Sequence, residues 1–523
     1  NLDSFITLIP HLFMDTINVN SATYYLPENE DDVITLVNQA KTQNKIICLR
    51  GSAHSFPLIN TLEAEAASNK NLYILLAKMN VVHIDKNNAL VTVQGGCHLG
   101  VDPFDPTEIS NLQNSLLFQL NEAGLALPDL GGITHQTVAG FLSTGSSGGS
   151  VQFSFDDALM SISLITCGVK GAEKVTFNRP MPDNPDDPFY GIGVATLGLF
   201  GVIVSATFKC VPAFNIVGTE TTSTEAECPI DLFHNGSGDK PSLQTFLEQT
   251  QYVRLMWWPQ RNVAKMVVWQ AKQQAPTPDF KIIPYQEVPW IAGSAVPVTL
   301  AADLVFSAIG TWPDWLMNAM GDTPKYREIK TLAEAAFYPA ILPLICKAFV
   351  QEGENQSFQD VWYNGIPMDN QMSDRLMPVW FTELWIPIEK TQEVMTALLN
   401  FYSEGPTNTG AFSCEIYATK SSPFWMSPAY QTNVIRIDVF WFANNNGNPV
   451  DFYKPFWALL QQFNYRPHWA KYLPAGDSAQ GVTYLQSVYP KWNDWMALRE
   501  QMDPGQVFVS DYWRGHLGIA PVQ

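Results

Sequence analysis

The pattern of apolar and polar residues in the amino-terminal half predicts strands and helices in alternation. Within residues 23–50, an acidic turn after Pro27 precedes apolar residues that recur at helical spacing from Val33 onward, and a short apolar strand follows. A second helix is predicted over residues 110–123 and should end at Gly124, because glycine commonly terminates helices. Further strands are predicted at the apolar or alternating segments 72–79, 89–96, 159–169 and 198–211.

The carboxyl-terminal half has a different pattern, in which apolar residues alternate along several segments. Alternation of this kind is typical of antiparallel strands, and helical segments lie between them, so the pattern predicts a large antiparallel sheet covered by helices on one side. The predicted strands include residues 254–260, 264–271, 379–388 and 433–442. The chain is therefore predicted to be α+β, with one domain at residues 1–212, a second at 213–480 and a terminal segment at 481–523.

Length, charge and cysteine usage narrow the possible functions. A chain of 523 residues suits two domains. Its 30 Lys and Arg residues against 50 Asp and Glu residues give a net charge of −20, and it has no basic run. This balance argues against nucleic acid or an anionic membrane as the main partner. Seven cysteines lie far apart without a C-x-x-C pair, so we expect neither a disulfide framework nor a zinc or other metal site.

No transmembrane segment is predicted. The apolar stretch 294–310 is interrupted by Pro297 and Asp303, and the first residues lack the basic region of a signal peptide. We therefore expect a soluble protein, either cytoplasmic or secreted. The sequence leaves both the compartment and the oligomeric state open.

The glycine-rich segment at residues 131–150 is the strongest local candidate for ligand binding. It contains six glycines and seven Ser or Thr residues but no charged side chain. Glycine lets the backbone approach a ligand closely, and successive N–H groups in such turns can bind an anion such as pyrophosphate. The segment is neither a G-x-G-x-x-G fingerprint after a strand nor a phosphate-binding P-loop.

A competing interpretation of this segment is a serine hydrolase. Gly145, Ser147 and Gly149 satisfy the G-x-S-x-G pattern in which the serine is the nucleophile. That motif requires a strand before the serine and a helix after it, and the residues after Gly149 carry no immediate helix signal. A hydrolase using Ser147 therefore remains an alternative.

Several segments resemble the flavoenzymes of the vanillyl-alcohol-oxidase superfamily. In the amino-terminal half these are RGSAHS at 50–55, TVAGFLSTGSSG at 137–148 and GLFGVIVSATF at 198–208. The carboxyl-terminal half resembles the aldonolactone and alditol oxidases, with the type II cholesterol oxidases as relatives, through ELWIPI, CEIYATKSSPFWMSPAY, NYRPHWAKYL and DPGQVFVSDYWRGHLG. The resemblance implies a PCMH-type FAD-binding domain, a substrate domain above it, and a terminal segment that returns to the FAD domain.

The resemblance also implies how FAD would be bound. His54, in a tight loop of small residues, would be covalently linked to the flavin ring, since a neutral imidazole is a competent nucleophile. The glycine-rich segment would hold the pyrophosphate and ribityl groups, and the backbone near 198–204 would face the ring and adenosine. The other implied cofactor-binding residues are Arg50, Gly51, Ser52, Ala53, Ser55, Thr137, Gly140, Ser143, Thr144, Gly145, Ser147, Gly148, Gly201, Val202 and Val204.

The implied catalytic residues come from the second domain. Glu415 matches the active-site glutamate of these oxidases, and His468 and Lys471 lie in the segment RPHWAK, where they would act as base, hydrogen-bond partner or stabiliser of flavin charge. The chain departs from the pattern at Tyr417, where relatives carry arginine. Lys420 or Arg436 would then supply the missing cation, Glu383 would have a supporting role, and Asp438 lies nearby in an uncertain register.

The sequence thus predicts an FAD-dependent oxidase that oxidises a CH–OH group of a polyol, sugar lactone or sterol-like alcohol and passes electrons to O2, giving H2O2. A dehydrogenase of the same fold with another acceptor is the first alternative. The Ser147 hydrolase and a binding protein without flavin are alternatives from other classes.

Overall fold

The structure is a computed structural model that describes residues 14–287, 355–371, 378–405, 407–410, 412–443, 445 and 447–522. The stretch 294–310 and Cys346, on which two expectations depend, lie outside these residues. The six described cysteines are buried and carry free thiols. None of the described helices is long and apolar enough to span a membrane.

Two sheets form the core of the amino-terminal half. Strands β1 (Thr16–Val19), β2 (Ala22–Tyr25), β3 (Ile46–Arg50) and β4 (Asn71–Leu75) form a sheet in the order β1-β2-β4-β3, in which the last three strands are parallel. The next strands are β5 (Val82–Asp85), β6 (Leu90–Gln94), β7 (Leu125–Ala126), β8 (Leu159–Gly168), β9 (Gly171–Asn178), β10 (Val202–Lys209) and β11 (Val211–Pro212). Strand β7 pairs with β11, and the other five form an antiparallel sheet in the order β5-β6-β10-β8-β9.

Five short to medium helices accompany these sheets: α1 (Glu30–Thr42), α2 (Leu58–Ala64), α3 (Leu116–Glu122), α4 (Val138–Thr144) and α5 (Pro188–Ile192). The predicted strand, helix and strand of residues 23–50 are confirmed as β2, α1 and β3. Helix α1 begins where predicted because the Asn29 side chain accepts a hydrogen bond from the Asp32 N–H, and acidic residues fill the first turn. Its apolar face is buried, which fixes the helix against the sheets.

The helix predicted over residues 110–123 is shorter than expected, since α3 begins only at Leu116. The reason is a local turn: the Asn111 and Asn114 side chains each accept a hydrogen bond from the other residue's backbone N–H, at 3.1 and 3.0 Å. Asparagine competes with helical hydrogen bonding in this way. The predicted end is confirmed, because Gly124 follows α3 with φ of 76°.

The carboxyl-terminal half contains the predicted large antiparallel sheet. Its eight strands are β12 (Asn215–Thr224), β13 (Tyr252–Trp258), β14 (Lys265–Gln274), β15 (Asn355–Val361), β16 (Val379–Pro387), β17 (Cys414–Thr419), β18 (Val434–Phe442) and β19 (Arg466–Pro467). They are ordered β15-β12-β14-β13-β17-β18-β16-β19. The helices of this half are α6 (Leu243–Gln249), α7 (Trp362–Gly365), α8 (Thr391–Glu404) and α9 (Pro449–Leu460).

Helices α6 and α9 contact the middle of this sheet, α6 at β17 and α9 at β16 and β18, while α8 packs against both helices. Side chains alternate between the two faces of a strand. Leu255, Ile416 and Ile437 occupy the face that joins the hydrophobic core. The residues between them occupy the opposite face, which turns toward the amino-terminal half.

The chain finally returns to the amino-terminal half through α10 (Val482–Val488), α11 (Trp492–Met502) and α12 (Asp511–Leu517). The Ile47 N–H of β3 donates to the Val507 carbonyl at 2.8 Å, and Trp495 packs edge-on against Phe200 with ring centres 5.0 Å apart. Sheet membership changes between Lys209, where β10 ends, and Asn215, where β12 begins. The exact domain boundaries after 212 and 480 stay predictions.

The end of the glycine-rich segment is joined to the large sheet by three hydrogen bonds. The Val253 N–H donates to the Gly149 carbonyl at 2.8 Å, the Lys420 N–H donates to the Ser150 carbonyl at 2.8 Å, and the Thr419 hydroxyl donates to the Gly148 carbonyl. This close approach requires glycine, because a Cβ at position 149 would lie 2.2 Å from the Val253 carbonyl oxygen.

We expect Gly149→Ala to lower the free energy of unfolding by about 1–3 kcal/mol, because the added methyl forces the loop and β13 apart. Urea unfolding followed by tryptophan fluorescence measures this loss. The matched control is Gly515→Ala in α12, where a Cβ would meet no atom within 4 Å. Equal stability of the Gly149→Ala variant and the unsubstituted protein would contradict the role assigned to this contact.

Candidate active site

A cavity of about 1020 Å³ lies between the amino-terminal half and the polar face of the eight-stranded sheet. On one side it is lined by the loop after β3 and by parts of the glycine-rich segment, including His54, Gly132 and Ser147. On the other side it is lined by strands of the large sheet and by His468 and Lys471, which follow β19. Its volume is at the upper end of the range for small-molecule pockets, about 300–1,000 Å³.

Period-two alternation along the strands places the charged residues in this cavity. Each of four neighbouring strands contributes every second residue to the lining and sends the residues between into the hydrophobic core. The contributed side chains are Arg254, Met256 and Trp258 from β13, Glu415 and Tyr417 from β17, Arg436, Asp438 and Phe440 from β18, and Phe381 and Glu383 from β16.

Three carboxylates form a row across the sheet. Asp438 on β18 lies directly opposite Glu415 on β17 and directly opposite Glu383 on β16. Opposed residues on adjacent strands have Cβ atoms about 4.5–5.5 Å apart, and like charges at that spacing repel. This register settles the uncertain position of Asp438.

The row has unusual protonation properties. Burial, and then the charge of Asp369, raises the pKa of Glu415 to about 8. Burial and the charge of Glu383 raise the pKa of Asp438 well above its usual range. Burial also disfavours the charged form of Glu383, but Arg436, His468 and Lys471 outweigh it and lower the pKa of that carboxyl. Glu383 is therefore the charged member of the row at neutral pH.

Arg436 connects this row to the glycine-rich segment. Its Nη2 lies 2.8 Å from Glu383 Oε1, and its Nη1 donates to the carbonyls of Ser147 and Gly148, both at 3.1 Å. The guanidinium carbon lies 4.6 Å from the centre of the Tyr417 ring and 4.8 Å from that of Trp385. Arg436 thus lines the cavity beside Tyr417.

Lys420, the other candidate for the cation that Tyr417 lacks, does not line the cavity. It is partly exposed and pairs with Asp157 at 2.6 Å. Of the two candidates named from the sequence, the structure therefore brings only Arg436 to the site.

Sequence reasoning missed a second arginine, Arg254. It is buried, forms ion pairs with Asp369 and with Glu220 Oε2 at 3.3 Å, and places Nη1 3.9 Å from Glu415 Oε1. The Tyr417 hydroxyl lies 2.9 Å from Asp369 Oδ2 and 3.2 Å from Glu415 Oε2. A signal for these residues exists in the sequence, because charged residues occupy alternate positions in otherwise apolar strands.

His468 is held as a neutral ring. Its Nδ1 accepts a hydrogen bond from the Ala470 N–H at 3.0 Å, and burial lowers the pKa of His468 to about 4. A neutral imidazole that accepts at Nδ1 carries its proton on Nε2. Lys471 lies three residues further on, with its Nζ 4.1 Å from the centre of the Phe381 ring.

His54 lies on the opposite side of the cavity, in the loop after β3. Burial, and then the nearby charge of Lys471, lowers the pKa of His54 to about 3, so its imidazole is neutral at physiological pH. Its ring centre is 5.8 Å from that of His135. The loop is fixed by an ion pair between Arg50 and Glu63 and by a hydrogen bond from the Ser52 hydroxyl to the His135 carbonyl at 2.6 Å.

Two narrower cavities, of about 90 and 140 Å³, continue from the main cavity beneath this loop. The smaller shares His54 and His468 with the main cavity, and shares Gly140 and Thr144 with the larger. The three together line one path through the amino-terminal half. The predicted cofactor residues along this path are Arg50, Gly51, Ser52, Ala53, His54, Ser55, Thr137, Gly140, Ser143, Thr144, Ser147 and Val202.

Four predicted cofactor residues do not line the path. Gly145 ends α4 with φ of 68°, and Gly148 donates its N–H to Asp129 Oδ2 at 3.2 Å. Gly201 packs against the backbone of β8, and Val204 belongs to the hydrophobic core of the amino-terminal half. Their glycine or apolar character serves the fold at these positions.

The path fits an elongated dinucleotide. The backbone N–H groups of Ser52 and Ala53 donate no hydrogen bond to the described residues, and Ala53 has φ of 62°. Adjacent N–H groups at such a turn form a concave site for an anion such as a pyrophosphate. Gly198, with φ of 71°, lines the same path, and the nearest atom to a Cβ there would be 3.9 Å away. These features match FAD, whose ring would extend toward His54.

The serine hydrolase alternative is not supported by the geometry. Ser147 follows helix α4 and the left-handed Gly145, whereas a nucleophile elbow requires a strand before the serine and a helix after it. No group of three or more metal-ligating side chains among the described residues is arranged to hold a metal ion.

Known proteins match this chain over most of its length. The profile of the D-arabinono-1,4-lactone oxidase family matches residues 206–516. The L-gulonolactone oxidase of Mus musculus is 22% identical over 494 residues, which cover 94% of this chain and 93% of that protein. The L-gulono-1,4-lactone dehydrogenase of Mycobacterium tuberculosis is 20% identical over 496 residues, covering 94% and 95%.

The solved structure of cholesterol oxidase from Brevibacterium sterolicum superposes with a TM-score of 0.69 and 14% identity over 97% of both chains. Together these findings confirm the predicted α+β fold with a PCMH-type FAD-binding domain. They also confirm the predicted class, an FAD-dependent oxidase acting on a CH–OH group. The family profile matches more than half of the chain, including the stretch that carries Glu415, His468 and Lys471, and the chain belongs to the D-arabinono-1,4-lactone oxidase family.

Proposed function

We propose that this protein oxidises the CH–OH group of an alcohol at the junction of the FAD path and the main cavity, with FAD covalently attached through His54 and O2 as the electron acceptor. The observation that carries the proposal is the meeting of His54 with Glu415, His468 and Lys471 around one cavity. When bound, FAD supplies the hydride acceptor. The protein supplies binding, orientation and proton transfer.

Glu415 is the group proposed to accept the hydroxyl proton of the substrate. Its carboxylate lines the cavity, and its raised pKa makes it a stronger base than an ordinary glutamate once it is deprotonated. Tyr417 and Arg254 hold it in place through contacts of 3.2 and 3.9 Å. His468, whose proton is on Nε2, is proposed to donate a hydrogen bond to oxygen or flavin in the cavity, and Lys471 to supply positive charge near the ring.

His54 is proposed as the covalent link because it combines position with reactivity. It lines both the main cavity and the narrow path, and its neutral ring keeps a nitrogen lone pair available. A bond from this nitrogen to the ring methyl carbon replaces one C–H bond, whose hydrogen leaves as a proton. The two electrons left on the ring pass to O2.

The substrate classes compatible with this site are polyols, sugar lactones and sterol-like alcohols. The printed names of the relatives include lactone oxidases and a lactone dehydrogenase, and a solved structure of similar fold is a cholesterol oxidase. A dehydrogenase with another acceptor is the second candidate, because the Mycobacterium tuberculosis relative bears that name.

The first prediction concerns the reaction and its acceptor. The purified protein should be yellow, and an alcohol substrate found by screening these classes should bleach the flavin in the absence of air. Admitting O2 should then restore the colour rapidly with release of one H2O2 per alcohol oxidised. Bleaching without rapid recovery in air would identify the dehydrogenase instead, and absence of flavin would refute the proposed function.

The second prediction concerns the covalent link. After acid precipitation, the flavin of the unsubstituted protein should stay with the pellet, and His54→Ala should release it to the supernatant. His135→Ala is the matched control, since the two rings are neighbours. Mass spectrometry of the peptide containing residues 50–57 should show the added mass of FAD. Flavin retained in the His54→Ala pellet would exclude His54.

The third prediction concerns the base. Because the pKa of Glu415 is about 8, the anaerobic rate of flavin reduction should rise about tenfold per pH unit below pH 8 and level off above it. Glu415→Gln should abolish this rise and slow reduction by about 10²–10⁴-fold. Stopped-flow absorbance near the flavin maximum measures both effects.

The control for this prediction is Glu225→Gln. Burial raises the pKa of Glu225 as well, but its carboxylate bonds to Trp257 Nε1, on the side of β13 away from the cavity. Its pH profile should match that of the unsubstituted protein. A Glu415→Gln variant that keeps the inflection would assign the base to another group.

A further inference from the structure

We propose that the alcohol bound by the main cavity carries a positively charged amino group that binds against Asp438. This inference rests on the proposed function and specifies its substrate class, an amino alcohol or amino sugar. The carbon skeleton would lie along the aromatic wall of the cavity, and the amino group would face the acidic row.

The first support is the balance of charge. Among the described residues that line the cavity, six carboxylates face three cations, Arg254, Arg436 and Lys471, since Arg50 is paired with Glu63 outside the cavity. Those six are Glu220, Glu287, Asp369, Glu383, Glu415 and Asp438. A cavity with this excess of carboxylates repels anionic ligands and attracts cationic ones.

The second support is how the existing cations are used. Arg254 pairs with Asp369 and Glu220, and Arg436 pairs with Glu383. Lys471 has its ammonium over the Phe381 ring. None of the ion pairs in this set involves Asp438, although it stands between two other carboxylates in the row.

The third support is independent of charge counting. Asp438 is only 2% exposed, yet its Oδ1 accepts no hydrogen bond from any described residue. Burying an acceptor without a partner is unfavourable by about 1–3 kcal/mol, and more for a charged group. Asp438 lines the cavity, so a donor carried by a ligand would satisfy it. An ammonium group supplies both the donors and the compensating charge.

The wall beside the acidic row suits an organic cation. Phe440 is 4.9 Å from Phe381 and 5.4 Å from Phe412 between ring centres, and Phe412 is 5.3 Å from Trp258. These four rings line the cavity as a continuous aromatic surface. Aromatic faces attract ammonium groups and also bury apolar carbon. The same wall offers nothing to a phosphate or a carboxylate.

The experiment compares alcohols that differ only in charge. The first pair is 2-amino-2-deoxyglucitol and its N-acetyl derivative, and the second is phenylalaninol and its N-acetyl derivative. Anaerobic flavin reduction gives kcat/KM for each, and the neutral parent alcohols are included. We expect each amine to exceed its N-acetyl partner by about tenfold or more, as for a hydrogen bond to a charged group.

The variant Asp438→Asn should reduce this preference by about tenfold, whereas Asp157→Asn, which removes the surface partner of Lys420, should leave it unchanged. Equal rates within both pairs, or a preference for the acetylated forms, would overturn the inference. Should Asp438→Asn fail to fold, the preference measured with the unsubstituted protein decides alone. Oxidation of neutral alcohols only would refute the amino group but keep the proposed function, whereas no flavin reduction by any alcohol would refute both.

Discussion

The structure depends on the burial of charged side chains on one face of the eight-stranded sheet. Placing Glu383, Asp438 and Glu415 opposite one another is unfavourable unless cations and hydrogen bonds compensate. Arg436 provides that compensation for Glu383, and Arg254 provides it for Asp369 and Glu220 beside the row. Removing one partner of such a buried pair leaves an uncompensated charge, which is destabilising by about 3–5 kcal/mol. The sheet tolerates this arrangement because the same face forms the wall of the active-site cavity.

This constraint also joins the two halves of the molecule. Arg436 uses its remaining donors on the carbonyls of Ser147 and Gly148, while Asp129, whose pKa burial raises to about 8, accepts the Gly148 N–H. The glycine-rich segment is therefore held from the sheet side and from its own domain at the same residue. The conformation of the loop that borders the FAD path consequently depends on side chains of the substrate domain.

The sequence predicted the parts of the fold that follow from local rules. Helix α1 has its cap, acidic first turn and apolar face within thirteen residues, and the alternating strands of the large sheet carry their own signal. The extra length predicted for α3 was wrong because the side chains of Asn111 and Asn114 form a turn, which hydrophobic spacing does not reveal. Gly145 and Gly148 looked like cofactor contacts, since glycine spacing cannot distinguish a helix end or a close backbone contact from a ligand cradle.

Within the site, the sequence predicted residues that belong to recognisable segments, such as His54, Glu415 and His468. Arg254 and Asp369 were missed because their importance comes from strand order: β13 lies beside β17 although about 160 positions separate Arg254 from Glu415 along the chain. Only the register of the sheet brings these side chains together.

The exchange of arginine for Tyr417 has a consequence that the register makes clear. A tyrosine at this position contributes no positive charge to Glu415, and burial with the charges of Asp369 and Glu415 raises the pKa of Tyr417 well above its usual range, so its hydroxyl stays neutral. Arg254 approaches Glu415 from the neighbouring strand, but it is already paired with Asp369 and Glu220. The surroundings of Glu415 are therefore more negative than an arginine two residues away would make them. That negative field keeps the glutamate protonated at low pH, strengthens it as a base once ionised, and favours ligands that bring their own positive charge.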